Sequence, residues 1–163
     1  YLQGRYCAMS VKMLVMDVDG TLTDGRIYIG AQGEIMKAFD VKDGYAIVHL
    51  RQKGIEPVII TGRSSAIVQE RAKELGITEL YQGISDKITQ LKLVAEKFKC
   101  APEQIAYIGD DENDLECIHY CGVCGCPADA IECVRQAVDY ICKKDGGRGA
   151  VREFVEWFET STD

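Results

Sequence analysis

The sequence predicts an α/β fold in which a parallel sheet has helices on both faces. Short apolar runs alternate with stretches of helical periodicity along most of the chain, the pattern left by repeated strand–helix–strand crossovers. Several of those runs stop at a polar residue, at Asp17, Thr61 and Asp110, as strands do when they end at a ligand crevice. The 163 residues are 47% hydrophobic, enough for one packed core and of ordinary size for one domain. A single domain is expected over residues 11–160.

The elements follow in order. Residues 1–10 show no periodicity, and Met9 makes a natural start; they are expected to be a disordered leader or a remnant foreign to the domain. Met13-Leu-Val-Met16 reads as a buried strand ending at Asp17. Arg26–Ile29 and Glu34–Phe39 flank the glycine-rich Gly30–Gly33 and read as a hairpin expected to expose Ile27, Ile29, Ile35 and Phe39. Asp43 is the expected cap of a helix running to about Lys53, stopped by Gly54. Pro57–Ile60 is the next strand, ending at Thr61-Gly62; Ser64-Ser65 opens a helix to Leu75 that Gly76 stops. Glu79–Gln82 is a weak strand, and Ser85-Asp86 caps a helix with Ile88, Leu91, Ala95 and Phe98 at helical spacing. Gln104–Ile108 is a strand leading into Gly109-Asp110-Asp111, followed by a short helix over about 112–120. Gly122–Cys126 and Tyr140-Ile141 are short strands around a helix near 130–136. The last helix places Val151, Phe154, Val155 and Phe158 in one stripe. The whole is a Rossmann-like arrangement with one insertion, the hairpin after the first strand.

Composition excludes several classes. There are 26 Asp and Glu against 19 Lys and Arg, a net charge of −7, without the basic footprint of a nucleic-acid binder. No apolar run reaches the ~18 residues of a membrane span. Eight cysteines in a chain of this length are too dilute for a small disulfide scaffold, and the N-terminal residues show no signal-peptide pattern. A cytoplasmic protein with reduced thiols is expected.

The chemistry gathers at the strand ends. Asp17 and Asp19 follow the first strand, Thr61 the second, and Asp110, Asp111 and Asp114 another, with Lys87 opening a helix on the same side. Carboxylates crowded at one edge repel each other unless a hard cation sits among them, and aspartates without histidine select Mg²⁺ over zinc. Thr61 and the neighbouring backbone N–H groups suit phosphate oxygens, and Lys87 adds a positive charge. Carboxylate, hydroxyl, lysine and Mg²⁺ together are the components of phosphoryl transfer. If Val18 turns into the core, Asp17 and Asp19 face one point. Asp17 can then attack phosphorus while Asp19 protonates the leaving oxygen.

Four stretches in order, Asp17-Val-Asp-Gly-Thr-Leu-Thr23, Ile60-Thr-Gly-Arg63, Ser85-Asp-Lys87 and Ile108-Gly-Asp-Asp-Glu-Asn-Asp114, resemble the motifs of the haloacid dehalogenase superfamily of phosphatases. Thr23-Asp-Gly25, Phe39–Tyr45, Leu80–Gly83 and Gly146–Glu153 narrow the resemblance to the capless 3-deoxy-D-manno-octulosonate 8-phosphate phosphatases. The resemblance implies that Asp17 is the nucleophile, Asp19 the general acid and then base, and Thr61 and Lys87 the phosphoryl ligands. It implies Mg²⁺ held by Asp17, the Asp19 carbonyl and Asp110, with Asp111 or Asp114 in support. It also implies a homotetramer built through the hairpins (residues 26–39), with a neighbouring subunit and the glycine–arginine segment closing each site. The partners expected are thus a sugar phosphate and further copies of the chain, with no nucleic acid and no membrane.

Two other members of this group set the alternatives. Nine-carbon ulosonate 9-phosphatases carry Glu after Thr-Gly, where this chain has Arg63. The appended domain of animal cytidylyl-sialate synthetases is a non-catalytic oligomerisation unit that has lost motif residues, whereas Asp17, Asp19, Thr61, Lys87 and Asp110 are all present here. Gly62, Arg63 and Arg148 are assigned to substrate, the arginines because a planar guanidinium matches a sugar carboxylate. Cys121, Cys124 and Cys126 invite a zinc reading, but Cys124 and Cys126 alternate along an expected core strand, as small buried hydrophobes do. His49 and His119 lie in or beside helices, away from any strand end.

Overall fold

The computed structural model describes residues 10–161; the expected leader lies almost wholly outside them. Six strands form one parallel sheet: β1 (Met13–Met16), β4 (Glu56–Ile60), β5 (Glu79–Tyr81), β6 (Ile105–Ile108), β7 (Val123–Cys126) and β8 (Tyr140–Ile141). Their order across the sheet is β5-β4-β1-β6-β7-β8. A separate antiparallel pair, β2 (Tyr28–Gly30) and β3 (Gly33–Met36), is the expected hairpin.

Alternation within apolar strands divides the core. In β1, Leu14 and Met16 join one buried cluster, and Met13 and Val15 join the other. Helices α1 (Val41–Val48), α2 (Ala66–Glu74) and α6 (Ala150–Thr160) cover the first face, and α3 (Lys87–Lys97), α4 (Leu115–Tyr120) and α5 (Glu132–Arg135) the second. A fully apolar strand is the mark of a sheet buried on both sides. The expected stripe Val151, Phe154, Val155 and Phe158 is buried as a unit.

The chain enters the sheet at β1, moves outward through β4 and β5, then returns to pair β6 on the other side of β1. Met16 lies level with Ile59 on one side and Ile108 on the other. The chain segments leaving β1, β4 and β6 therefore emerge together at the reversal point, where open α/β sheets bind ligands.

Helix α1 differs from expectation. Asp40, not Asp43, is its N-cap and accepts from the Lys42 N–H at 2.7 Å. The helix ends at Val48, and a 3₁₀ turn over Arg51–Lys53 completes the connection to Gly54 at φ 75°. Asp43, freed from capping its own helix, caps another: its Oδ1 accepts the Arg152 N–H at 3.0 Å, at the start of α6. Gly149 opens that helix at φ 99°, a conformation that favours glycine. Phe39 also departs from expectation. It packs against the core beneath the Arg71 guanidinium instead of lining the exposed hairpin.

Asp43 is buried, and its Oδ2 has no hydrogen-bond partner among the described residues. Burial, with Asp40 nearby, raises its pKa to about 6. A carboxyl whose folded pKa is raised favours the folded state most at low pH, and that contribution is lost as pH rises through about 6. Asp43→Asn keeps an acceptor for the Arg152 N–H and never ionises. Its stability relative to wild type is expected to improve between pH 4 and 7 by on the order of 3 kcal/mol. Urea unfolding across that range checks this; a pH-independent difference would show that Asp43 does not titrate in the fold.

Candidate active site

Asp17 directly follows β1, and Val18 turns fully into the core as alternation requires. The loop beyond it is held by Thr23, whose Oγ1 accepts the N–H groups of Gly20 at 3.3 Å and Gly25 at 3.2 Å. Gly20 has φ 92°, and a Cβ there would collide with the Asp110 carboxylate. Glycine is thus what lets this loop close onto the loop after β6. Thr21 completes the closure by donating to Asp110 Oδ1 at 2.8 Å.

Asp114 organises the opposite wall and is fully buried. Its Oδ1 accepts from Lys87 Nζ at 2.8 Å and the Tyr107 hydroxyl at 2.5 Å. Its Oδ2 accepts the N–H groups of Asp110 at 2.9 Å and Asp111 at 3.2 Å. Lys87, on the first turn of α3, also reaches Asp17 Oδ1 at 2.9 Å. Burial depresses the Lys87 pKa, but Asp17 and Asp114 outweigh it and leave the group raised.

The charges do not balance. Asp17, Asp110 and Asp114 present oxygens within 4.8 Å of one another, and Lys87 is the ammonium that two of them share. Burial first, then repulsion from Asp114, raises the Asp17 pKa to about 6; burial and then repulsion from Asp17 raise that of Asp110 to about 8. A cluster of hard oxygen donors with uncompensated negative charge fits a divalent cation such as Mg²⁺. Asp17 and Asp110, whose oxygens lie within 4.8 Å of each other, are the residues placed to hold it. Asp114 already accepts four hydrogen bonds, so its part is to orient the others. Asp111 is exposed and caps the following turn through the Glu112 N–H at 2.7 Å.

Thr61 is buried at the end of β4, while Gly62 and Arg63 are exposed beyond it. Arg63 leans toward Glu34 of β3, with Nη2 3.7 Å from Oε2. Arg148 is exposed, with no side-chain hydrogen bond or ion pair among the described residues. Its loop, however, is anchored: the Gly147 N–H donates to the Thr21 carbonyl at 3.1 Å, and a Cβ at Gly146 or Gly147 would strike the backbone of residues 20–24. Arg152 instead pairs with Glu156 and lies over the Tyr45 ring. Cys124 and Cys126 are core thiols, as expected; Cys124 Sγ donates to the Ile118 carbonyl at 3.1 Å.

Sequence reading missed four participants. Lys37 pairs with the Asp19 carboxylate, and its side chain is fully enclosed. Glu34 pairs with Lys37 at 3.2 Å and accepts from the Ser65 hydroxyl. Residues three apart lie on opposite faces of a regular strand, and β3 ends at Met36, so their pairing left no periodic signal. Tyr107 did leave one, since a hydroxyl within an apolar strand requires a buried partner. Thr21 lay inside a recognised motif, but its bond to Asp110 spans distant sequence.

Asp114→Asn can satisfy one side of its network only, because the amide nitrogen must face either Lys87 and Tyr107 or the two N–H groups. Breaking a buried ion pair on one side costs about 3–5 kcal/mol, and chemical denaturation is expected to show a loss of that size. A loss within experimental error would remove Asp114 as the organiser of the wall.

Comparison with known proteins agrees with this geometry. A family model of haloacid dehalogenase-like hydrolases matches residues 77–154. The chain is 45% identical over 149 residues to the 3-deoxy-D-manno-octulosonate 8-phosphate phosphatase KdsC of Yersinia pestis, covering 91% of this chain and 80% of that protein. Identity to the same enzyme of Escherichia coli K12 is also 45%, over 91% and 79%. The Yersinia pestis crystal structure superposes with a TM-score of 0.90 at 43% identity, covering 94% of this chain and 83% of that one. The Moraxella catarrhalis phosphatase, solved with magnesium, phosphate and KDO, gives 0.89 at 44% identity, over 93% and 87%. With this likeness extending along nearly the whole chain, and the acidic edge where the strand ends put it, the protein belongs to the 3-deoxy-D-manno-octulosonate 8-phosphate phosphatase family of haloacid dehalogenase-like hydrolases.

Proposed function

We infer that the protein is a Mg²⁺-dependent phosphomonoesterase that hydrolyses 3-deoxy-D-manno-octulosonate 8-phosphate. The observation behind this is the convergence of Asp17, Lys87 and Asp110 at the reversal point of the sheet, in a chain 45% identical to enzymes of that name. Asp17 attacks phosphorus and becomes an aspartyl phosphate. Lys87, 2.9 Å from Asp17 Oδ1, and the Thr61 hydroxyl hold the transferring phosphoryl oxygens. Asp19 protonates the departing sugar oxygen, then takes a proton from the water that opens the aspartyl phosphate. Mg²⁺, when bound by Asp17, Asp110 and the Asp19 carbonyl, neutralises charge on the phosphoryl group. Arg63 and Arg148 are assigned to the sugar carboxylate, Arg63 from beside Glu34 and Arg148 from its exposed position.

Residues 11–160 form one phosphatase domain in this reading, and residues 26–39 join copies of it. The hairpin exposes Ile27, Ile29, Ile35 and Met36. A two-stranded ribbon with such a face is marginal alone in water. The expected assembly is a homotetramer built through the hairpins. Among the described residues no helix is long and apolar enough to cross a membrane. The seven described cysteines are free thiols, which supports a cytoplasmic location.

Phosphate release is the direct test. Turnover is expected on the eight-carbon ulosonate phosphate above a nine-carbon 9-phosphate, to vanish with EDTA, and to vanish in a folded Asp17→Asn variant. Efficient turnover of the nine-carbon compound alone would move the substrate; no metal-dependent release from any sugar phosphate would leave a non-catalytic assembly unit. Light scattering at micromolar concentration is expected to give a tetramer, and a stable, active monomer would refute the assembly.

A further inference from the structure

Asp19 has one side-chain partner among the described residues, Lys37. Lys37 follows β3 directly, and its side chain is fully enclosed although it lies on a surface hairpin. Its second contact is Glu34 at 3.2 Å. Glu34 accepts from the Ser65 hydroxyl, and Ser65 is the N-cap of α2, four residues beyond Thr61. One polar chain, Asp19–Lys37–Glu34–Ser65, thus joins the loop after β1 to the loop after β4 through the hairpin.

An enclosed ammonium is costly to leave unpaired, so Lys37 and Asp19 fix each other. Asp19 needs such fixing. It sits beyond β1 on a loop, partly exposed, whereas Asp17 and Asp114 are locked by Lys87. A general acid works only when held within hydrogen-bond reach of the leaving oxygen. We propose that Lys37 is a positioning residue for the reaction, setting the Asp19 carboxyl against the leaving oxygen, with Glu34 and Ser65 anchoring Lys37. Within the phosphatase reading, on which this rests, the hairpin then has two faces: Ile35 and Met36 turn outward, and Glu34 and Lys37 turn to the site.

The test uses leaving groups. An alkyl alcohol departs with difficulty unless protonated, whereas p-nitrophenolate is stable as an anion and gains little from an acid. Three substrates separate the roles: the eight-carbon ulosonate phosphate, glycerol phosphate, which lacks a carboxylate, and p-nitrophenyl phosphate. In Lys37→Met, kcat/KM is expected to fall about 10–100-fold on both alkyl phosphates and by less than about threefold on p-nitrophenyl phosphate. In an Asp19→Asn background the same change is expected to add less than about threefold on the alkyl phosphates, because a residue acting through Asp19 has nothing left to act on. Lys37→Arg keeps the charge in the hairpin and is expected to give the same substrate pattern with smaller losses, which covers the case of a misfolded Lys37→Met.

Equal losses on all three substrates would make Lys37 merely structural. A loss confined to the ulosonate phosphate would make it a carboxylate ligand. Full additivity with Asp19→Asn would break its link to the acid. Each of these results overturns the proposal while wild-type turnover still upholds the phosphatase reading; absence of wild-type turnover would overturn both.

Discussion

The site depends on one buried ion pair, Lys87 with Asp114. An ammonium this enclosed needs a carboxylate, and Asp114 has no exposure through which water could replace it. Because Asp114 also holds the Tyr107 hydroxyl and the amides of Asp110 and Asp111, the pair joins α3, β6 and the loop after β6. Lys87 is thereby delivered to Asp17, and Asp110 is delivered to the same crevice. The position of Asp17, the proposed nucleophile, follows from packing on the face of the sheet where α3 and α4 bury their apolar sides.

The candidate site gathers two raised carboxyls at one sheet edge, Asp17 and Asp110. Burial and repulsion from Asp114 raise the Asp17 carboxyl, and burial and repulsion from Asp17 raise that of Asp110, whereas Asp114 has its four donors. A fully neutralised edge would be more comfortable and would hold no cation. Asp43 is raised as well, as a single buried cap; what marks the sheet edge is two such carboxyls together where strands end, beside a shared lysine.

Much of this was legible in the sequence. The six sheet strands, the caps Ser65 and Asp86, and the final helical stripe all follow from apolar runs and polar stops, because local pattern and tertiary burial agree there. Asp17, Thr61, Lys87 and Asp110 stood out because each ends a strand or opens a helix. What stayed hidden depends on contacts between distant residues. Asp43 looked like a cap for its own helix and serves α6 instead, 109 residues away. Phe39 looked like hairpin surface and belongs to the core. Lys37 and Glu34 lay within the expected hairpin with no role assigned to them, and only the fold brings that ribbon to Asp19.

A net charge of −7 and an anionic substrate would repel each other if the charge were spread evenly. The fold avoids this by sorting its cations. In the proposed mechanism Lys87 meets the phosphoryl group from within the sheet edge and Lys37 steadies the acid from the hairpin, while Arg63 stands exposed at the rim. The glycine-rich segment of residues 146–149 packs against the loop after β1 through its backbone, and Arg148 is exposed beyond it. A chain without a cap domain has few residues of its own with which to exclude water. On the proposed assembly the hairpin supplies part of that cover, since the ribbon that presents Ile35 and Met36 to a neighbour also presents Glu34 and Lys37 to the site. If Lys37 positions the acid as proposed, whatever seats the outer face of the hairpin also orders Asp19 on its inner face, and association and catalysis would draw on the same short segment of chain.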